Sequence, residues 1–365
     1  MRPFIIALLF CVFSPVGLRA EAVQTPIGTV QITAMAKGFK TPWALSFLPD
    51  GGFLVTERRG RLWHVDPMGT KRRISGTPMV VAEGQGGLLD VLVPRDFATS
   101  QHIFLTFVTA QGSGSGTAVA RAIFDEKNHQ LRDVATIFEM TPGSRGGRHF
   151  GSRLAEGPDG ALYVTIGERG DRPSAQDLTR HNGSILRIGK TGAVPSDNPF
   201  VHRNNAAPEI WSYGHRNPQG MGFDSAGNLW AVEHGARGGD EVNLIKPGAN
   251  YGWPVIAYGR HYSGGKIGEG TEKTGMRQPD YYWDPSIAPS GLMAYSGEMF
   301  PEWRGWIFVG SLKFDYISGL SGTKLKENLA LKHSSTKRVR DIRQAADGSI
   351  WFISEDRGTI FRISR

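Results

Sequence analysis

A strand–turn–strand unit that recurs along the chain constrains the fold more than any other feature. Each copy has an apolar strand, a tight turn with glycine, and a second apolar strand that ends in polar residues, as in LSFLPDGGFLVTERRGRLWHV at 45–65. Four copies are clear, and PRDFATSQHIFLTFV (94–108) and EMFPEWRGWIFVGSL (298–312) fill the two gaps in their spacing. Radial repetition of small sheets is typical of propellers, whereas a sandwich or barrel would not give six copies. The turn glycines of the four clear copies are Gly51, Gly160, Gly227 and Gly348.

Composition supports the same architecture. Glycine makes up 48 of 365 residues, well above the usual share of about 7%, and long amphipathic helical patterns are hard to find. Short β-rich runs bounded by turn residues occur instead. The sequence therefore predicts an all-β protein, a six-bladed β-propeller of four-stranded antiparallel sheets.

The N-terminus predicts export. Arg2 precedes an apolar run from Phe4 to Phe13, and small residues follow near Ala20. This is the layout of a signal peptide (1–20) removed on export, and the run is shorter than the roughly 20 residues of a membrane anchor, which is the alternative. We expect one propeller domain at 21–365, periplasmic or secreted and not inserted in a membrane. The single cysteine, Cys11, lies in the signal peptide, which excludes thiol and iron–sulfur chemistry in the mature chain.

The charge pattern favours a small anionic ligand or an acidic partner protein. The formal net charge is +8, but the basic residues are scattered and form no run longer than Lys71-Arg72-Arg73. Nucleic-acid-binding proteins usually cluster their basic residues, so we expect no nucleic acid partner.

The loops that follow the apolar strands would gather at one mouth of the propeller channel and form a concave polar site. Each candidate alone has an ordinary interpretation: His149 as a surface histidine, Arg216 as a tie between blades, and RVRDIR (338–343) as an edge strand. The acidic turn GARGGDE (235–241) could be solvated, or could hold Ca²⁺ through oxygen ligands. Together, a possible base, a possible acidic partner for it and several cations indicate a carboxylate-bearing ligand. The candidates are Gln85, His149, Glu168, Arg216, Asn217, Glu241, Tyr251, Lys313, Arg338 and Arg340.

Motifs at these positions make a resemblance specific. GQGGLLD (84–90), GHRNPQG (214–220) and NYGWP (250–254) make the chain similar to the soluble aldose sugar dehydrogenases of the glucose/sorbosone dehydrogenase family, from about Gly38 to Ile363. The resemblance implies an exported six-bladed propeller that uses pyrroloquinoline quinone and Ca²⁺. It would oxidise aldose sugars at C1 to lactones by hydride transfer to the quinone, and would pass electrons to a cytochrome or quinone. The loops are shorter than those of the dimeric glucose dehydrogenases, so we expect a monomer with broad aldose specificity.

The resemblance also implies residue roles. His149 would be the catalytic base, Glu168 would position it, and Arg216 would contact the quinone carbonyl. Gly235 and Ala236 would offer backbone carbonyls to the active-site Ca²⁺. The other cofactor contacts would be Gln85, Asn217, Ser286, Lys313, Arg338 and Arg340, and a second, structural Ca²⁺ would involve Glu241 and Tyr251.

Three positions depart from the pattern. His234 stands where some relatives carry glutamine, Ala236 where many carry proline, and Arg148 where some carry aspartate. The changes at 234 and 236 bear on Ca²⁺ affinity, and Arg148 bears on sugar preference. Two other functions remain open on the sequence alone: a Ca²⁺-dependent propeller lactonase or esterase, and an exported propeller that binds a ligand without catalysis.

Overall fold

Six antiparallel sheets form the protein, and the computed structural model describes residues 20–365. In chain order the strands are β1 (Ala20–Thr25) and β2 (Gly28–Lys37); β3 (Pro42–Phe47), β4 (Phe53–Glu57), β5 (Arg61–Val65) and β6 (Lys71–Ile74) of blade 1; β7 (Leu88–Leu92), β8 (His102–Gln111), β9 (Gly114–Asp125) and β10 (Gln130–Glu139) of blade 2; β11 (Leu154–Glu156), β12 (Leu162–Ile166), β13 (Ser184–Ile188) and β14 (Ile210–Tyr213) of blade 3; β15 (Pro218–Phe223), β16 (Leu229–Glu233), β17 (Asp240–Ile245) and β18 (Tyr281–Trp283) of blade 4; β19 (Pro289–Ala294), β20 (Ile307–Ser311), β21 (Tyr316–Ser321) and β22 (Lys326–Lys332) of blade 5; and β23 (Val339–Gln344), β24 (Ile350–Ser354) and β25 (Thr359–Ser364) of blade 6. One short helix, α1 (Phe97–Ser100), and 3-10 turns at Arg172–Gln176 and Pro301–Trp303 complete the described elements.

The predicted six-bladed all-β propeller is confirmed. The first strand of each blade packs beside the first strand of the next blade, which closes a ring around the central axis. The first two strands of a blade are joined by the recurring turn, and the turn glycines have positive φ, for example 91° at Gly51 and 78° at Gly160. Glycine is suited to these turns because it adopts this backbone region without a Cβ clash.

The ring closes through the N-terminal strands. β2 pairs antiparallel with β25, with Ile32 opposite Ile363, and β1 pairs with β2 as a fifth strand of blade 6. Blade 6 therefore combines both ends of the chain. The predicted signal peptide lies outside the described residues, apart from Ala20, which begins β1. Between residues 20 and 365, no helix is long and apolar enough to cross a membrane.

The hydrophobic core lies between adjacent blades. Six apolar clusters fill the six interfaces, such as the one where Leu54 and Leu62 of blade 1 join Leu105 of blade 2. Burial of apolar surface stabilises each interface by about 25 cal/mol per Å². A cysteine-free propeller is thus held together by its inter-blade cores, as the sequence required.

Charged side chains of the innermost strands meet inside the ring. Arg153 is 1% exposed, and its Nη1 lies 3.2 Å from Oδ1 of Asp90 and 3.1 Å from Oδ1 of Asp341. Arg343 contacts the same two aspartates at 3.1 Å each. The network joins blades 2, 3 and 6, and each arginine is paired with both aspartates, as buried charges require.

Candidate active site

The loops that enter the innermost strands, and those that follow the second strands, meet at one end of the ring. Glu168, after β12, donates its backbone N–H to the carbonyl of Arg216, before β15, at 2.9 Å. His234, after β16, donates its N–H to the carbonyl of Asn217 at 3.3 Å. The turns that contain Gly51 and its counterparts lie at the opposite end, because antiparallel strands alternate in direction. The two ends of the propeller therefore carry different loops. The candidate site lies at the end where the loops of Glu168, Arg216 and His234 meet.

His149 and Glu168 form a hydrogen-bonded pair. Nδ1 of His149 lies 2.6 Å from Oε2 of Glu168, whose side chain is 1% exposed. Among residues 20–365 no group hydrogen-bonds to Nε2 of His149, and the side chain keeps 12% exposure. The carboxylate fixes the ring orientation and makes Nδ1 the protonated nitrogen of the neutral ring. Nε2 is then left as a proton acceptor that faces the mouth.

The backbone around His149 is held open by close contacts. His149 has φ of 54°, and its N–H donates to Oε1 of Gln85 at 2.8 Å. A Cβ at Gly167 would lie only 2.1 Å from the carbonyl oxygen of His149, so glycine is required there. Asn217 accepts the N–H of Gly151 at 3.1 Å. The structure thus places the predicted residues Gln85 and Asn217 against one short backbone segment, at His149 and Gly151.

Burial lowers the pKa of His149 below its ordinary value of 6.5, and the nearby Arg216 guanidinium lowers it further. The hydrogen bond that Nδ1–H of His149 donates to Glu168 opposes both effects and raises the pKa. A histidine whose pKa lies below neutrality is uncharged at pH 7 and can accept a proton.

Arg216 lies beside the pair and is 6% exposed. Its backbone N–H donates to Oε2 of Glu233 at 2.6 Å, its Nη1 donates to the carbonyl of His234 at 3.2 Å, and its guanidinium lies 5.3 Å from the centre of the Trp253 ring. Burial, followed by the charges of Arg216 and Arg340, lowers the pKa of His234 to about 3, so this histidine is neutral and adds no charge to the cations around it.

The three remaining predicted cations differ in how they are held. Arg340 is 7% exposed, and it donates to Oε2 of Glu355 at 2.6 Å and to Oε1 of Gln219 at 3.0 Å. Arg338 shares Glu355 at 3.4 Å. Lys313 is exposed, and within the described part of the chain its ammonium group has no ion-pair partner and lies 4.9 Å from the Phe314 ring centre. Lys313 is therefore available to pair with an anionic ligand, whereas Arg340 contributes a positive charge at a fixed position.

Buried polar atoms without partners indicate that this mouth suits a polar ligand. Among residues 20–365, Nε of Arg216, Nε2 of His234 and Nε1 of Trp253 are buried and have no hydrogen-bond partner. Buried polar groups are normally paired, and an unpaired one is costly. A flat ligand with carbonyl and carboxylate oxygens would supply acceptors here, so the residues fit the cofactor that the sequence resemblance implies.

Gly235 and Ala236, the expected active-site calcium ligands, line the same small pocket as Arg216. Their loop is held by Asp240, which accepts the N–H of Gly235 at 2.8 Å and the hydroxyl of Ser286 at 2.7 Å. Burial raises the pKa of Asp240. The carbonyl of Ala236 accepts the N–H of Arg260 at 2.8 Å and keeps one lone pair for a cation. Ser286 is thus placed to support the loop through Asp240.

Glu241 lies in the same pocket with a second carboxylate close by. Nδ2 of Asn243 lies 3.3 Å from both Oε2 of Glu241 and Oε1 of Glu233, while the buried Oδ1 of Asn243 has no partner among the described residues. Burial and the charge of Glu233 raise the pKa of Glu241 well above its usual value. A buried carboxylate (Glu233), a half-buried one (Glu241) and, within residues 20–365, an unpaired amide oxygen fit a hard cation. Tyr251 could offer its carbonyl only, since its hydroxyl already bonds Leu244 and Lys246.

Sequence reasoning missed a second histidine–carboxylate pair. His215 is fully buried, and its Nδ1 lies 2.8 Å from Oε1 of Glu233. Its Nε2 lies 2.9 Å from Oγ of Ser212, and its ring stacks on Tyr251 at 4.6 Å. A signal was present, because a glutamate lies at or just after the end of the second strand in both repeats: Glu233 ends β16, and Glu168 lies two residues after β12. Asp240 and Glu355 were also missed, because their roles depend on contacts between loops.

Comparison with known proteins gives matches along almost the whole chain. The family model described as glucose/sorbosone dehydrogenase matches residues 39–362. The aldose sugar dehydrogenase YliI of Escherichia coli strain K12 is 39% identical over 359 residues, which cover 96% of this chain and 97% of that protein.

Two solved structures extend the comparison. The soluble aldose sugar dehydrogenase of Escherichia coli in its apo form superposes with a TM-score of 0.88 at 38% identity, covering 92% of this chain and 99% of that one. The PQQ-bound aldose sugar dehydrogenase of Streptomyces coelicolor superposes with a TM-score of 0.77 at 28% identity, covering 96% of this chain and 99% of that one.

Proposed function

The chain belongs to the glucose/sorbosone dehydrogenase family, and on that premise we propose that it oxidises aldose sugars at C1 to lactones with pyrroloquinoline quinone (PQQ) and Ca²⁺. When bound, the quinone supplies the two-electron acceptor and Ca²⁺ acts as a Lewis acid beside it. The observation that carries the proposal is His149, whose Nδ1 is held by Glu168 while Nε2 faces the mouth with no partner in the described part of the chain.

The residues of the dyad divide the proton chemistry between them. Nε2 of His149 accepts the proton of the sugar C1 hydroxyl, and Glu168 orients the ring and stabilises the imidazolium that results. The cost of charging a half-buried histidine beside Arg216 keeps its pKa low, so the proton returns to solvent after the reaction. Gln85 holds the backbone of the base, which leaves the glycines around it free to admit a sugar.

The positive residues of the mouth would bind the cofactor. Arg216 and Asn217 would lie against the quinone, and Lys313, Arg338 and Arg340 would face its carboxylates. Gly235 and Ala236 would give their carbonyls to the active-site Ca²⁺, with Ser286 supporting the loop. Glu241 and Tyr251 would bind the structural Ca²⁺.

We propose that the enzyme is exported by a signal peptide at 1–20 and acts in the periplasm or outside the cell. We also propose that it is a monomer. Its relative in Streptomyces coelicolor is described as PQQ-bound, and several relatives are sugar dehydrogenases. These descriptions support the cofactor and the substrate class proposed here. The electron acceptor would be a cytochrome or a quinone.

A reconstitution experiment tests the proposal. Protein stripped with EDTA is titrated with PQQ, with and without Ca²⁺, and assayed for dye reduction with a panel of aldoses. We expect cofactor binding and turnover only when both are added. Absence of PQQ binding would overturn the assignment, and lactone hydrolysis without PQQ would replace it by the hydrolase alternative.

Lys313→Met tests the cation ring separately. Because Lys313 is exposed and has no ion-pair partner in the described residues, we expect weaker PQQ binding, by about tenfold, and an unchanged melting temperature. Lys324→Met, at another exposed lysine in the same blade, is the matched control. Equal PQQ affinity in both variants would remove Lys313 from the site.

A further inference from the structure

A second cluster of metal-binding side chains lies at the end of the propeller opposite the candidate active site. Asp50 comes from the turn between β3 and β4, His64 from β5, and Glu126 from the turn between β9 and β10. One ligand atom of each lies within 4.8 Å of the other two. Two neighbouring blades therefore bring an imidazole and two carboxylates together at their shared edge.

His64 is the unusual member of this cluster. Its residue exposure is 2%, and neither ring nitrogen has a hydrogen-bond partner among residues 20–365. Its Nε2 lies 3.8 Å from Oε1 of Glu126, too far for a hydrogen bond. A buried imidazole with no partner is costly. A cation in contact with all three side chains would satisfy the ring nitrogen and both carboxylates at once.

Gly52 keeps a space open beside His64. A Cβ at this position would lie 3.1 Å from Nε2 of His64 and 3.2 Å from Oδ1 of Asp50. Oδ1 of Asp50 accepts the N–H of Gly52 at 2.9 Å, which leaves Oδ2 for another ligand. Asp50 and Glu126 are exposed at their tips, so they can rotate inward.

We propose that Asp50, His64 and Glu126 bind a divalent transition metal ion, with Zn²⁺ as the best fit, as a clamp between blades 1 and 2. A zinc ion with bonds of about 2.0 to 2.2 Å holds its ligand atoms roughly 3.3 Å apart. The three groups need only a small inward rotation of the two exposed carboxylates to reach this spacing. A mixed nitrogen and oxygen set favours zinc over Ca²⁺, which takes oxygen ligands.

The surroundings complete the electrostatic picture. Asp66 adds negative charge near His64, while Arg72 donates to Nε2 of His129 at 3.4 Å. That contact occupies the lone pair of Nε2, so His129 is not among the proposed ligands, and water would take the fourth position on the metal. Two carboxylates offset the charge of the ion.

The test is zinc binding by the tag-free, full-length protein in excess Ca²⁺, which fills oxygen-only sites. We expect one Zn²⁺ per chain by calorimetry, a raised melting temperature, and visible absorption from Co²⁺ bound in its place. Glu126→Gln removes a proposed ligand and should weaken zinc binding by about 100-fold or more, since loss of a group that only orients a ligand already costs about 10- to 100-fold. Glu139→Gln, which removes another exposed glutamate from the same blade, should bind zinc like the unaltered protein.

His64→Gln gives the second variant, and Glu126→Gln keeps the test valid if the buried change impairs folding. Loss of the stoichiometric zinc in Glu126→Gln but not in Glu139→Gln supports the site. Absence of stoichiometric binding, or equal binding in both glutamate variants, overturns it. Sugar oxidation is not a readout here, so failure of this site and failure of the proposed enzyme activity are distinguishable.

Discussion

Consecutive blades carry the same histidine–glutamate pair in two different states. His149 and His215 both precede an innermost strand, and their partners lie at the end of the second strand of the same blade, Glu233 as its last residue and Glu168 two residues beyond it. Within residues 20–365, Nε2 of His149 has no partner and the side chain keeps 12% exposure, whereas His215 is fully buried, with Nε2 bonded to Ser212 and its ring stacked on Tyr251. A histidine–glutamate pair is therefore not sufficient to make the histidine a base. The ring must also have a nitrogen without a partner, and that nitrogen must be accessible from the mouth of the channel.

The largest effect we expect is in His149→Ala. Loss of a general base costs about 10²- to 10⁴-fold in kcat, and because His149 is a half-buried loop residue outside the hydrophobic core, the melting temperature should change much less than the rate. Steady-state kinetics and PQQ binding are measured together. Retained PQQ affinity with lost turnover assigns catalysis to His149, and full turnover would end that assignment.

His215→Ala should give the opposite profile. It removes a fully buried ring and leaves the Glu233 carboxylate with one partner fewer, which costs about 3 kcal/mol of unfolding free energy. Chemical denaturation measures the loss, and kcat per folded molecule should fall far less than in His149→Ala. If His215→Ala were as inactive as His149→Ala but equally stable, the distinction between a catalytic and a structural pair would collapse.

The fold followed from the sequence because propeller turns are local. Local sequence patterns identify the turn glycines and the apolar strands around them. They also identify the loops that carry His149, Glu168 and Arg216. The closure of blade 6 by β2 was not readable, since strand pairing between the two ends of a chain has no local signal. The same limit hid the His215–Glu233 pair and the grouping of Asp50, His64 and Glu126, which exist only once neighbouring loops or blades meet.

The loss of activity at low pH tests the role of the His149–Glu168 pair. The base must be neutral, and because burial and Arg216 hold the pKa of His149 below 6.5, we expect kcat/KM to fall only as pH drops below that value. The Glu168 carboxylate raises the pKa of His149, and Glu168→Gln removes this effect, so the decrease in kcat/KM should begin at a still lower pH. The plateau rate should also decrease, since a weaker base accepts the proton less readily. Asp171→Asn, at an exposed acid in the same loop, is the control. A decrease that begins at higher pH in Glu168→Gln would contradict the assigned geometry.

The smallest effect tests whether a free nitrogen alone can turn the structural pair into a base. Ser212→Ala removes the partner of Nε2 of His215 at a buried position. We expect a loss of about 1 kcal/mol in unfolding free energy. The matched control is Ser318→Ala, because Ser318 is equally buried and its hydroxyl has no partner among the described residues, so its removal should be close to neutral. Neither change should alter the pH profile of turnover, since His215 remains without access to the mouth. A new ionisation in the profile of Ser212→Ala alone would show that hydrogen bonding, and not burial, keeps the second histidine silent.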